Sequence, residues 1–378
     1  MKKILFITGT RADYGKIKPL MKKMDCSTEY EVYIYVSGMH LLPRYGSTYR
    51  EVLKDGYQNV HVAFGQQYTG NMSYNLGNVL MNLSAYVEQV EPDMILVHGD
   101  RIDALAGAVT GALNNIRVAH IEGGEISGTI DDSIRHAISK FAHLHFVCNE
   151  EAKRRIIQLG EQEENIFVIG SPDIDIMLSD HLPSLEEAKK YYDIDFEHYG
   201  IFMYHPVTTE VADLAAHIQE TLEALKESGR NFVVIYPNND LGTEIILDNI
   251  KKLGRDRFRI YPSIRFEYFL TLLKNAEMIV GNSSAGIRES GIYGLPAIDI
   301  GTRQNGRYDI HQLKNIQHVG ENKDEILAAI KKAPEYAVQS YSFGNGNSTD
   351  RFLEALMEPG VWNCDIQKHF IDLWSNES

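Results

Sequence analysis

NSSAGIRESGIYGLP, residues 282–296, follows the apolar run Glu277–Gly281, EMIVG. The two together read as a buried strand, a tight turn and a helix opening at Ser283–Ser284. A strand that empties into a helix start presents free backbone N–H groups and the positive end of a dipole, which is a seat for phosphate. Ser283 and Ser284 add hydroxyl donors, and Gly281 and Gly286 let the backbone come close. Glu289, one turn on, would repel a phosphate but can accept bonds from ribose hydroxyls. An ordinary strand-to-helix turn with a serine N-cap accounts for the same letters without a ligand.

Working outward, strands alternate with helices in two series. The first half reads as strands at Ile4–Thr8, Glu31–Ser37, Met94–His98, Val118–Glu122, His145–Cys148 and Ile166–Ile169. The second reads as strands at Gly200–Tyr204, Phe232–Tyr236, Phe258–Tyr261, Met278–Val280 and Ala297–Asp299, with helices that include Glu210–Ser228 and Ile287–Tyr293. Such alternation predicts an α/β fold of parallel sheets wrapped by helices. The expectation is two Rossmann-like, doubly wound domains facing a cleft, over residues 1–170 and 171–360. Residues 361–378 are expected to include a helix, Trp362–Trp374, that packs back on the first domain.

The length of 378 residues exceeds what one hydrophobic core usually serves. A net charge of −15 argues against nucleic acid or an acidic membrane surface as a partner. Cys26, Cys148 and Cys364 match neither disulfide nor zinc spacing. MKKILFITGT reads as a first strand rather than a signal peptide, and no segment is long enough to span a bilayer. A reducing cytoplasm is the expected compartment.

Polar residues collect just after the strands. Strand one is followed by TGTRAD, which lacks the dinucleotide pattern G-x-G-x-x-G but offers Arg11 to a phosphate or base. Strand two is followed by Ser37–His40. Next comes His98-Gly99-Asp100-Arg101. An aspartate there can be a simple N-cap, but the neighbouring Arg101 and His98 make a richer site than a cap needs. Glu122-Gly123-Gly124-Glu125 sets a carboxylate at a strand end beside glycines that let a ligand approach. Asp131 and Asp132 open a helix, where Thr129 with Asp132 fits a capping box. His136, His143 and His145 lack metal spacing and read as packed histidines. In the second half His205 and Arg303 follow strands and can face the same anion as the serines.

Assembled, these stretches resemble the UDP-N-acetylglucosamine 2-epimerases, and in particular the hydrolysing branch that makes N-acetylmannosamine for sialic acid synthesis. The stretches that carry the resemblance are TGTRADYGK (8–16), SGMH (37–40), HGDRIDALAGA (98–108), HIEGGEISGTIDDSIRHAISK (120–140), GSPDID (170–175), HPVTTE (205–210), GNSSAGIRES (281–290) and DIGTRQNGR (299–307). They run in one order from residue 1 to about 310. The resemblance implies the glycosyltransferase-B architecture with substrate in the interdomain cleft. It also implies that Asp100, Glu122, Asp131 and Asp132 are the catalytic carboxylates. Arg11, His205, Ser283 and Ser284 would touch the diphosphate, Glu289 the ribose, and His40 the sugar. Arg101 would line the substrate site, and Arg303 would lie near the nucleotide. Non-hydrolysing relatives carry Pro-Glu-Glu-x-Asn-Arg where this chain has residues 130–135, and His-Arg-Arg-Glu-Asn where it has HPVTTE.

The implied reaction is elimination of UDP to 2-acetamidoglucal followed by hydration, with no cofactor and no metal. The implied partners are a UDP-sugar and a second copy or more of the chain, as homodimer or homotetramer. Three other readings compete. One is an epimerase for the UDP-linked 2,4-diacetamido-6-deoxy sugar of legionaminic acid. Another is a glycosyltransferase, and the third is a sugar-nucleotide sensor without chemistry. Contacts to C4 and C6 of the sugar are expected on loops such as Gly65–Asn75.

Overall fold

The computed structural model describes residues 1–309 and 311–372. The chain forms two compact units. The first holds Met1–Glu125, Asp131–Leu178 and the chain from Phe343 onward; the second holds Ile126–Ile130 and Ser179–Ser342.

The first unit is built on a seven-stranded sheet in the order β3-β2-β1-β4-β5-β6-β7. Its strands are β1 (Lys2–Thr8), β2 (Tyr30–Val36), β3 (Asn59–Val62), β4 (Met94–His98), β5 (Arg117–Ile121), β6 (Leu144–Val147) and β7 (Ile166–Val168). Every pairing is parallel, with Ile4 beside Val32 on one side and Met94 on the other. Helices cover both faces, so the central strands carry near-continuous apolar runs rather than alternating. All five residues of β4 are buried. The strand order reverses between β1 and β4, and the loops after these two strands diverge there.

The second unit has a six-stranded parallel sheet in the order β10-β9-β8-β11-β12-β13. It comprises β8 (Gly200–Met203), β9 (Phe232–Ile235), β10 (Phe258–Tyr261), β11 (Ile279–Gly281), β12 (Ala297–Ile300) and β13 (Ile316–Val319). Here the order reverses between β8 and β11. The two-sheet α/β class expected from the sequence is therefore present, with β3 and β13 added at sheet edges.

Four features differ from the sequence reading. The first unit keeps Ser171–Leu178, and the chain returns to it at Phe343 rather than at residue 361. The return is fastened by Ser171 N–H donating to the Phe343 carbonyl at 2.8 Å. Asp175 then caps the helix Ser348–Leu356 across the chain, accepting from Ser348 N at 2.9 Å and Thr349 N at 2.7 Å. That helix inserts Phe352 against Phe146, ring centroids 4.7 Å apart. Past it the only helix among the described residues is Pro359–Asn363, so the expected helix Trp362–Trp374 is cut short; residues 373 and 374 lie outside the described residues. Finally, Ile287–Tyr293 is not an α-helix. Two 3-10 turns, Ser284–Gly286 and Ser290–Tyr293, stand in its place.

Candidate active site

In the first unit the carboxylates singled out by sequence sit at the ends of β4 and β5 and at the start of the helix Ile130–Phe141. Asp100 is not a helix cap: the N-cap of Ile102–Leu113 is Arg101. Asp100 instead pairs with Arg135 through Oδ2 and Nη2. Arg135 is among the largest fully buried side chains of the chain. Its Nη1 also donates to the Glu125 carbonyl at 3.1 Å and lies 3.3 Å from Asp132 Oδ1. One guanidinium thus holds together a β4-end carboxylate, a helix-start carboxylate and the loop after β5. Burial opposes its charge, and Asp100, Glu125 and Asp131 more than offset this, leaving its pKa raised. Asp131 Oδ1 stands 3.9 Å from Arg101 Nη1.

Glu122 is buried and has φ of +63°, a left-handed conformation that a side chain adopts only under constraint. The constraint is visible: its N–H bonds the Phe146 carbonyl at 2.9 Å. Its carboxylate accepts from Ser171 Oγ and lies 3.2 Å from His98 Nε2. The loop after β5 therefore aims this carboxylate at His98, the last residue of β4, and at Ser171, three residues past the end of β7.

Arg11 pairs with Glu51 within the same unit. His40 departs from the sugar contact expected of it. It is 1% exposed, and both ring nitrogens are used, Nδ1 at 2.7 Å from Thr48 Oγ1 and Nε2 at 3.0 Å from Thr8 Oγ1. Thr8 donates its hydroxyl to Asp13 at 2.5 Å, so it accepts from an Nε2–H. Burial lowers the His40 pKa to about 4. The ring is a neutral link beneath the loop, not a group offered to a ligand. His143 and His145 are buried, His143 accepting from Val118 N at 3.0 Å and His145 facing Glu161 at 3.3 Å, whereas His136 keeps 27% of its side chain exposed beside Asp132.

In the second unit the ends of β8, β11 and β12 converge on Asn282. Its side chain clamps the backbone of His205, accepting from N–H at 2.6 Å and donating to the carbonyl at 2.9 Å. Its own carbonyl accepts from Arg303 Nη1 at 3.2 Å and Gln304 Nε2 at 2.7 Å. His205 Nδ1 accepts from Asn238 N–H at 3.0 Å, which leaves the proton of a neutral ring on Nε2 as a donor. Ser283 Oγ accepts from Ala285 N at 3.3 Å, and Glu289 is buried in the following turn. With 3-10 turns here, the long helix dipole expected behind Ser283 and Ser284 is missing. Hydroxyls, His205 and Arg303 remain as the donors. Gly281, at φ +131°, has no room for a Cβ against the Met203 carbonyl. Glu210, His217 and Glu321 have a spacing that suits a metal, but they bond Thr302, each other and Tyr204.

Sequence reasoning passed over Arg135, Ser171, Asn282 and Gln304. Arg135 carried a signal, since it lies three and four residues after Asp132 and Asp131 on one helix face. Asn282 and Ser171 carried none beyond standing next to a strand end.

Comparison with known proteins adds a family. The model of the family described as UDP-N-acetylglucosamine 2-epimerase matches residues 22–357. The chain belongs to that family. It is 49% identical to a UDP-N-acetylglucosamine 2-epimerase of Neisseria meningitidis serogroup B, over 99% of this chain and 100% of the relative. It is 32% identical to a UDP-N,N'-diacetylbacillosamine 2-epimerase (hydrolyzing) of Legionella pneumophila, over 94% and 96%. Among solved structures, the UDP-GlcNAc 2-epimerase of Methanocaldococcus jannaschii in complex with UDP-GlcNAc and UDP superposes with a TM-score of 0.79. It has 21% identity and covers 94% of this chain and 99% of that one. The shared fold is the two-domain, glycosyltransferase-B-like α/β architecture. Among the described residues no helix is long and apolar enough to cross a membrane.

Proposed function

We propose that this chain is the hydrolysing member of its family, converting UDP-N-acetylglucosamine and water to N-acetylmannosamine and UDP for sialic acid synthesis. The observation that carries the reading is the carboxylate set gathered around buried Arg135, with Asp100 paired to it and Glu122 at the next strand end. The 49% identical Neisseria relative supports the substrate, and the Legionella relative, whose name includes "hydrolyzing", supports the use of water.

C2 of the sugar has no adjacent carbonyl, so its proton is removed only as the C1–O bond breaks. Asp100 or Glu122 takes the proton. The C2–H electron pair becomes the C1–C2 double bond, and UDP departs with the C1–O pair. The leaving diphosphate is met by His205 Nε2–H, Arg303, Arg11 and the hydroxyls of Ser283 and Ser284, and the ribose by Glu289. Water then adds its oxygen to C1 of 2-acetamidoglucal while a proton returns to C2 on the other face. Asp131 and Asp132 assist, with Arg101 and Arg135 keeping the cluster from repelling itself. We take the working form to be a homodimer or homotetramer in the cytoplasm.

The test is incubation with UDP-N-acetylglucosamine in deuterated water without an acceptor, followed by NMR of the products. Free N-acetylmannosamine bearing deuterium at C2, together with UDP, is expected. UDP-N-acetylmannosamine as the product would sink the hydrolytic step. The Legionella relative favours a second reading, the UDP-linked diacetamido sugar, and the same experiment with that sugar as the better substrate would establish it.

A further inference from the structure

Lys368 takes no part in the chemistry above, yet it seals one end of the helix that carries much of it. The helix Ile130–Phe141 holds Asp131, Asp132 and Arg135 in its first half. At its other end the Lys368 ammonium donates to the Lys140 carbonyl at 2.8 Å and to the Ala142 carbonyl, and reaches the Ser139 carbonyl at 3.3 Å. The Glu161 carboxylate completes the ring, 2.6 Å away. Four oxygens thus surround one nitrogen, three of them backbone carbonyls at the helix end. The last carbonyls of a helix have no partner within it and form the negative end of its dipole, so a cation there answers both.

The segment that bears Lys368 lies on the first unit as a strap, fastened on either side of the lysine. His143 Nδ1 accepts from Val118 N–H, so the proton of the neutral ring is on Nε2, which donates to the Ile366 carbonyl at 3.0 Å. Ile371 N–H donates to the Gly160 carbonyl at 3.2 Å. Between them the Phe370 ring lies 5.2 Å from the Lys140 ammonium. Glu161 is the common anchor, since it also takes Lys140 from the helix at 2.6 Å. The helix end is in turn held in register with β4 and β5. Ser139 Oγ lies 3.1 Å from Nδ1 of buried His120, whose Nε2–H donates at 2.8 Å to the carbonyl of Gly99, one residue before Asp100. A continuous run of bonds joins the strap to the carboxylates, through the helix to Asp131 and Asp132 and through His120 to the Asp100 loop.

Resting on the reading above, we propose that Lys368 is a positioning residue for the reaction. Its ammonium fixes the end of the helix Ile130–Phe141 so that Asp132 and Arg135 stay set against Asp100. An acid displaced by about 1 Å costs roughly 10²-fold in rate, so a helix end released from the strap reads out in kcat. The groups that meet UDP in the second unit are untouched, and its affinity is kept.

The experiment measures kcat, KM and inhibition by UDP for two variants of the full chain. Lys368→Met keeps the bulk of the side chain without its charge; Lys368→Ala is assayed with and without n-propylammonium, the piece that alanine lacks. Lys368→Met should lose kcat by about tenfold or more, with KM and inhibition by UDP within about twofold of the unaltered protein. n-Propylammonium should restore kcat to Lys368→Ala several-fold and leave Lys368→Met, where its seat is filled, unchanged. Asp175→Ala, which weakens the return of the chain at another point, is the control for a merely structural role and should keep its kcat. The proposal alone is overturned by near-normal kcat in Lys368→Met, by a loss that only matches the unfolded fraction seen by circular dichroism, or by an amine without effect on Lys368→Ala. Absence of turnover by the unaltered protein overturns it together with the activity it rests on.

Discussion

Arg135 decides how the carboxylates of the first unit can act. Three acids close together would raise one another's pKa and repel a substrate that carries a diphosphate. A buried guanidinium between Asp100 and Asp132 removes most of that repulsion and fixes both in place. Its planar fork turns one nitrogen to Asp100 and the other to Asp132 and the Glu125 carbonyl, a spread that the single nitrogen of a lysine does not match. Arg135→Lys should therefore keep the fold and lose activity by about 10²-fold, through kcat more than KM. Arg135→Met should do worse and also destabilise the unit, by roughly 1–3 kcal/mol, because it leaves the partly buried Asp100 and Asp132 without their shared cation. Steady-state kinetics with urea denaturation checks both. An Arg135→Lys variant with near-normal kcat would show that Asp100 needs no fork to work.

At the scale of elements, the return of the chain to the first unit depends on one cap. Asp175 accepts from the first two N–H groups of Ser348–Leu356, and no residue of that helix caps it. Asp175→Ala should cost about 1–2 kcal/mol of stability, the usual loss for a removed cap. The loss should be seen as a lower denaturant midpoint with kcat little changed; an unaltered midpoint would mean that Phe352 alone docks the helix. This link was hidden from sequence because its partners stand more than 170 residues apart. The central strands were legible, since runs such as MILV are apolar without a break. β3 and β13 were not: NVHV and IQHV are edge strands that mix polar with apolar residues. The turn at Ser283 was read as a helix because Ser-Ser-Ala-Gly is a good helix opening. Gly286, Gly291 and Gly294 then keep it from running on. At the site, the strand-end positions of Asp100 and Glu122 were legible and their partners were not. His40 stood at a strand end like the others, and its burial between Thr8 and Thr48 could be seen only in the fold.

Over the whole molecule, the histidines are divided unevenly between the two units, and this predicts how acid acts. In the first unit His40, His61, His120, His136, His143 and His145 all have lowered pKa values, with burial as the main cause. In the second, His318 is raised by its bond to Asp299. A histidine held at about 4, as His40 is, or about 3, as His120 is, declines a proton that the unfolded chain accepts near 6.5. Its stabilising effect is complete above pH 6.5 and is lost as pH falls toward the folded value, at about 1.4 kcal/mol per pH unit for each such group. Asp103 works the other way: with a folded pKa of about 6 it binds its proton before the unfolded chain does, and returns stability between pH 6 and about 3.8. It offsets one histidine of the six, so the first unit still weakens on acidification. His318 is favoured by protonation, so the second unit gains slightly over the same window. Hydrogen exchange at pH 7 and 5.5, corrected for intrinsic rates, should therefore show protection falling in β1, β4 and β5 and holding in β8 and β11. In His120→Gln, which never gains that proton, the fall should be shallower. Equal loss in both units, or a greater loss in the second, would show that acid acts through groups other than these buried rings.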